Sequence, residues 1–244
     1  MMQPRLSSIV ERRLLVNHRV DPQTAARLIP APLRPHLVRG HAVAGICLLR
    51  LGSIRPSWVP QAVGLRSENA AHRFAVEWDG PDGAETGVYI PRRDTASRLN
   101  AWAGGRFFPG EHHLADFQVR ETRDVLRVAF DARDRTARVD VVDVAAVLTD
   151  DLSTSELFTD LDEASEFFRR GARGFSATRT GSRLDGMTLH TDTWRVEACE
   201  VRSAESSYFD DPNRFPPGSA TLDCAVVMRN LPATWQPLPS LATD

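Results

Sequence analysis

Apolar and polar positions alternate with a period of two along much of the chain, as in strands that turn one face to a core. Over residues 71–78, His72, Phe74, Val76 and Trp78 alternate with Arg73, Ala75 and Glu77. This predicts a half-buried strand with His72 on the inward face. Asp79-Gly80-Pro81-Asp82-Gly83 is a turn signal, and residues 85–91 are its expected hairpin partner. Leu126, Val128 and Phe130 alternate within 125–132, between expected strands at 113–121 and 136–147. The unbroken apolar run 43–49 predicts a strand at 42–51 buried on both faces. A short strand is expected at 14–20. Asp21-Pro22 then reads as an N-cap and first-turn proline for a helix at 24–29. Two further helices are expected. Residues 95–103 carry Leu99 and Trp102 on one side and stop at Gly104-Gly105. Residues 163–171 have an acidic start and an Arg169-Arg170 finish that suit the helix dipole. Residues 53–65 read as a loop and 232–239 as a proline-rich tail. Many short strands with few helices predict a mainly β, α+β fold. It would be one domain over 1–244, a closed or rolled-up sheet with a few flanking helices.

Composition narrows the function. The 244 residues are 42% hydrophobic and 25% charged, enough apolar material for a sizeable core. A net charge of -2 gives no general attraction to nucleic acid or anionic membranes. No apolar stretch approaches the ~20 residues of a membrane span. Residues 1–11 hold no long apolar run, so no signal peptide is expected and the chain reads as cytoplasmic. Cys47, Cys199 and Cys224 are widely separated, which favours reduced thiols. Cys47 and Cys224 lie in apolar runs and read as core filler. All 30 positive side chains are arginine. With no lysine, the chain has no side-chain amine with which to form a Schiff base.

Candidate chemistry falls in three stretches. Residues 104–115 gather Gly104, Gly105, Gly110, Pro109, Arg106, Glu111, His112 and His113. Chain-bending residues beside titratable ones suit a cleft-lining loop, and equally a hairpin corner. Neighbours on a strand point to opposite faces, so at most one of His112 and His113 should face a given cavity, and the pair should not bind one metal ion. In the second stretch, Glu68 precedes the strand that carries His72 and Arg73. A histidine on an apolar face is more often a satisfied core residue, and Glu68 also reads as a solvated loop acid. The third stretch holds Arg92 and Arg93, which could grip a carboxylate or phosphate, beside Asp94 and Thr95, either of which could cap the following helix. No dinucleotide or phosphate-loop motif, nucleophile elbow or metal-ligand spacing is present, so no cofactor or metal is expected.

Several segments together resemble an uncharacterised bacterial family related to acetoacetate decarboxylase. They are residues 17–22, 68–73, 87–94, 106–115 and 206–211, within a resemblance covering roughly 10–236. It implies a single-domain, cone-shaped β-barrel with flanking helices and an internal pocket. Acetoacetate decarboxylase carries two adjacent lysines after a Gly-Arg-Glu and Gly-Tyr/Phe-Pro segment, and one forms a Schiff base with the keto acid. Here the segment reads Gly105-Arg106-Phe107-Phe108-Pro109-Gly110-Glu111-His112-His113, with the histidines where the lysine pair would stand. Imidazole cannot form the protonated imine, so the parent mechanism is excluded. What the resemblance leaves is the pocket. His112, His113 and Glu68 are its catalytic candidates, and Arg106, Arg73, His72, Arg92 and Arg93 its substrate-binding candidates. The expected activity is lysine-independent acid-base chemistry on a small carboxylate or carbonyl compound. Non-catalytic binding of a small molecule is the alternative, and a partner-binding role, hinted at by Trp235 and the proline-rich tail, a third. The expected partners are a small molecule in an internal pocket and, as an option, further copies of the chain as a homo-oligomer.

Overall fold

The structure is a computed structural model that describes residues 5–105, 108–122, 125–149, 152 and 154–243. In chain order the strands are β1 (Leu6–Val20), β2 (Arg34–Pro35), β3 (Leu37–Val38), β4 (His41–Pro56), β5 (Leu65–Gly80), β6 (Gly83–Thr95), β7 (His112–Glu121), β8 (Val125–Ala132), β9 (Arg138–Thr149), β10 (Arg173–Ala177), β11 (Arg183–His190), β12 (Glu197–Ser206) and β13 (Ala220–Ala242). The helices are α1 (Pro22–Leu28), α2 (Arg98–Ala103) and α3 (Leu161–Arg170).

The expected closed sheet is present, and it closes twice. One ring runs β6-β7-β8-β9-β12-β13-β1-β4-β5 and returns to β6. A second runs β11-β10-β6-β5-β4-β1-β13 and returns to β11. The two share the wall β13-β1-β4-β5-β6. Its strands therefore bury both faces. Leu14, Val16, Ile46, Leu48 and Phe74 pack into the core of the first ring, while Leu15, Val43, Cys47, Ala75 and Val226 pack into that of the second. Strand alternation produces this division directly, because consecutive residues face opposite cores. Gly45, in the middle of β4, lets the wall pack tightly: a Cβ there would lie 2.2 Å from the Val16 carbonyl oxygen.

Several elements match the sequence reading. Asp21 caps α1, accepting from the Thr24 N–H at 2.7 Å. The turn at 79–83 joins β5 to β6 with Gly80 opposite Gly83. Others differ. The strand over 71–78 is longer and buried on both faces, because a second core lies behind it; Arg73 is therefore interior. Residues 53–56 extend β4 instead of opening a loop. α2 begins later than expected and is capped by Ser97, whose hydroxyl accepts from the Asn100 N–H at 3.2 Å. Asp94 and Thr95 do not cap it: Asp94 pairs with Arg92, and both Leu99 and Trp102 of α2 are exposed. The proline-rich tail is the second half of β13, pairing with β1 and then β11. Its prolines lack only a donor, and flanking residues carry the ladder.

Candidate active site

Strand register builds the site. On the second-ring face of the shared wall, Cys47 lies opposite Ala71, Ala71 opposite Arg93, and Arg93 opposite His112. The row therefore crosses β4, β5, β6 and β7. One step along, Asn17 lies opposite Gly45 and Gly45 opposite Arg73. With no side chain on Gly45 in the way, the Arg73 guanidinium reaches Asn17 and donates to its Oδ1. Between His72 and Phe74 the β5–β6 register slips: these residues face Arg92 and Tyr89 respectively. The extra residue in β6, at Ile90-Pro91, is a bulge that re-aims the strand, so Ile90 and Arg93 share one face.

That face borders a cavity of about 170 Å³. Its apolar wall includes Leu49, Leu51, Ile90, Met187, Leu189 and Trp235. Its polar lining includes Arg13, Cys47, Arg73, Arg93, Asp94 and His112. Burial pulls the Arg73 and Arg93 guanidinium groups down to about 10, so both stay cationic at neutral pH. Arg93 donates to the Ser176 hydroxyl at 3.3 Å. No carboxylate among the described residues pairs with either arginine. Arg73 is only 3% exposed, and its Nε has no hydrogen-bond partner.

His112 is neutral. Burial, then the neighbouring Arg93 charge, lowers its imidazole to about 3. Nδ1 lies 3.3 Å from the Gly110 carbonyl oxygen, which favours a proton on Nδ1 and leaves the Nε2 lone pair free. The glycine-rich loop explains how the ring is held. A Cβ at Gly104 would lie 2.3 Å from His112 Nδ1, and one at Gly110, where φ is +75°, would lie 2.7 Å from Ser176 Cβ.

A family model described as an uncharacterized conserved protein, DUF2071, matches residues 10–226. The chain belongs to the DUF2071 family. No curated protein matches this DUF2071 sequence. Solved structures do match its fold. Acetoacetate decarboxylase from Legionella pneumophila superposes with a TM-score of 0.56 at 11% identity, covering 99% of this chain and 87% of that one. An acetoacetate decarboxylase-like enzyme from Sphingomonas wittichii RW1 gives 0.58 at 13% identity, covering 100% and 95%. The enduracididine biosynthesis enzyme MppR, complexed with pyruvate, gives 0.58 at 12% identity, covering 100% and 91%. The DUF2071 chain thus has an acetoacetate decarboxylase-like fold, without a lysine anywhere in its sequence.

In this DUF2071 chain the sequence candidates divide between the two faces of the wall. His112, Arg73 and Arg93 come together at the cavity. His113 turns away, its Nδ1 2.8 Å from Asp134 Oδ2. Arg92 points the same way, to Asp94 and Asp134. His72 is fully buried in the first core, its ring against Tyr208 and its Nε2 3.4 Å from the Ser206 hydroxyl. Glu68 also faces away from the cavity, in an ion-pair cluster with Arg12 and Arg50 at one end of the first ring. Arg106 lies outside the described residues. Cys47 lies in an apolar run that reads as core filler; its register with Ala71 and Arg93 is the signal that places it at the cavity.

Proposed function

We propose that the cavity takes a small anionic carbonyl or carboxylate compound and performs acid-base chemistry on it without a Schiff base. The observation that carries this reading is the two guanidinium groups at the cavity, Arg73 buried and Arg93 half-buried, neither in an ion pair among the described residues. Leaving a buried charge unpaired costs several kcal/mol, and an anionic ligand removes that cost. Arginine suits the task because its planar fork grips a carboxylate bidentately. The volume suits a small ligand: a cavity of ~150 Å³ is known to hold benzene, so about six to ten non-hydrogen atoms fit. Pyruvate, the ligand of the MppR complex, is a natural first probe.

In this mechanism Arg73 and Arg93 hold the anionic end, and His112 Nε2 takes or returns a proton at the carbon beside the carbonyl. An imidazole held near 3 is a weak base in the empty cavity. A bound carboxylate offsets the Arg93 charge, the largest cause after burial, and so raises its proton affinity. Binding itself therefore readies the base. The chain has no side-chain amine to act as an electron sink, so proton transfer and addition chemistry fit the site better than decarboxylation.

The test is hydrogen-deuterium exchange of the pyruvate methyl group in D₂O, followed by NMR, with calorimetric titration of the same ligand. Pyruvate should bind and exchange faster with the protein than without it. His112→Ala should cut the exchange rate by ~10²–10⁴-fold and spare binding. Arg93→Gln should weaken binding by about tenfold or more. Binding with no exchange of any tested compound would favour the non-catalytic reading, and loss of neither property in Arg93→Gln would overturn the anion site.

A further inference from the structure

The three cysteines are free and similarly buried, with Cys47 7%, Cys199 8% and Cys224 7% exposed. Their surroundings separate them. Burial pushes the Cys199 and Cys224 thiols up to about 12. Of the three, only Cys47 lines the cavity. It stands in the row that continues through Ala71 to Arg93 and His112. Ala71, between Cys47 and Arg93 in the row, lines the same cavity. Both Arg73 and Arg93 interact electrostatically with Cys47. Arg73 gives an independent sign of a ligand: 3% exposed, it lines the same cavity with its Nε unpartnered.

We propose that Cys47 is a nucleophile of this cavity, adding reversibly to the carbonyl carbon of a small 2-oxo or aldehydic carboxylate held by Arg73 and Arg93. The proposal rests on the anion-binding reading above. In the step, a sulfur–carbon bond forms while the carbonyl π pair moves onto oxygen. The thiol proton ends on that oxygen, giving a hemithioacetal that keeps the carboxylate charge, without another reactant, and the same path in reverse releases the ligand. His112, in the same row, is the cavity's imidazole for carrying that proton. The sulfur thus occupies the chemical role that a lysine amine cannot fill in this chain.

The test uses glyoxylate labelled with ¹³C at its aldehyde carbon, added to the full chain and to Cys47→Ser, with thermal shift read in parallel. A new protein-bound carbon resonance, distinct from the free hydrate, is expected in the unmodified chain and absent from Cys47→Ser, while both proteins keep a thermal shift. A thermal shift in both without the new resonance would overturn the thiol and leave the anion site standing. No thermal shift in either would overturn both. Alkylation of the unmodified chain, mapped by peptide mass, is independent of the serine variant. Iodoacetate should label Cys47 at least about tenfold faster than Cys199 or Cys224. Arg93→Gln should remove the advantage of anionic iodoacetate over neutral iodoacetamide. Equal labelling of the three thiols, or no anion preference at Cys47, would count against the proposal.

Discussion

His18, His72 and His112 are each held neutral by burial, to about 4, about 3 and about 3. His18 stacks on Phe209 with ring centroids 4.3 Å apart, and His72 lies against Tyr208 at 4.5 Å, so both are packing groups of the first core. An unfolded histidine takes up its proton near pH 6.5, whereas these three refuse it until about pH 3–4. Their neutral burial therefore costs nothing above pH 6.5, and stability falls as the pH drops below it, because only the unfolded chain binds the protons. The loss is roughly 2 kcal/mol per buried histidine between pH 6.5 and 5. Urea midpoints measured from pH 7.5 to 5 should decline accordingly, and His72→Asn should flatten the slope. A stability that stays level across this range would show that these imidazoles are protonated in the fold. A bound carboxylate should moderate the decline by raising His112 alone.

At the scale of elements, the cluster around Arg12 ties the first ring together. Arg12 on β1 meets Glu68 on β5 at 2.6 Å and Glu121 on β7 at 3.3 Å; Arg50 on β4 joins both acids, and Arg229 on β13 joins Glu121. Arg12 is only 1% exposed while Glu68 is 16% exposed. Removing one acid leaves a buried charge short of a partner, so Glu68→Gln should cost up to about 3 kcal/mol. It should leave pyruvate affinity unchanged, since Glu68 faces away from the cavity. Chemical denaturation beside calorimetric titration separates the two effects, and a large affinity loss at unchanged stability would return Glu68 to the binding site. The same elements mark what a single sequence can reveal. Asp21-Pro22 and the 79–83 turn are local chemistry, and they were legible. That His112 and His113 face opposite ways follows from strand parity alone. Which of the two faces meets the cavity does not, because β5 is buried on both sides and alternation then carries no inside-outside label. Glu68 and Arg73 were consequently grouped, although the wall separates them. The β6 bulge at Ile90-Pro91 shifts parity by one and has no signature beyond a proline. The second half of β13 is hidden by Pro232, Pro237 and Pro239, whose missing donors matter only once the neighbouring strands are known.

For the whole molecule, the shared wall decides how the chain melts. Leu14 and Val16 of β1 belong to the first core and Leu15 to the second; Ile46 and Leu48 of β4 belong to the first and Cys47 to the second. Opening either ring would strip one face of strands whose other face still needs them straight and paired. Neither core can then be lost alone, and the chain should unfold as one domain. Differential scanning calorimetry should show a single transition whose calorimetric and van't Hoff enthalpies agree. The cavity lies inside the second ring, yet its ligand should stabilise the whole. Pyruvate at a hundredfold excess over its Kd should add about 2.7 kcal/mol to the one transition. Two separable transitions, with pyruvate raising only the one that melts the second ring, would divide the chain into two domains and confine the cavity's influence to half of it.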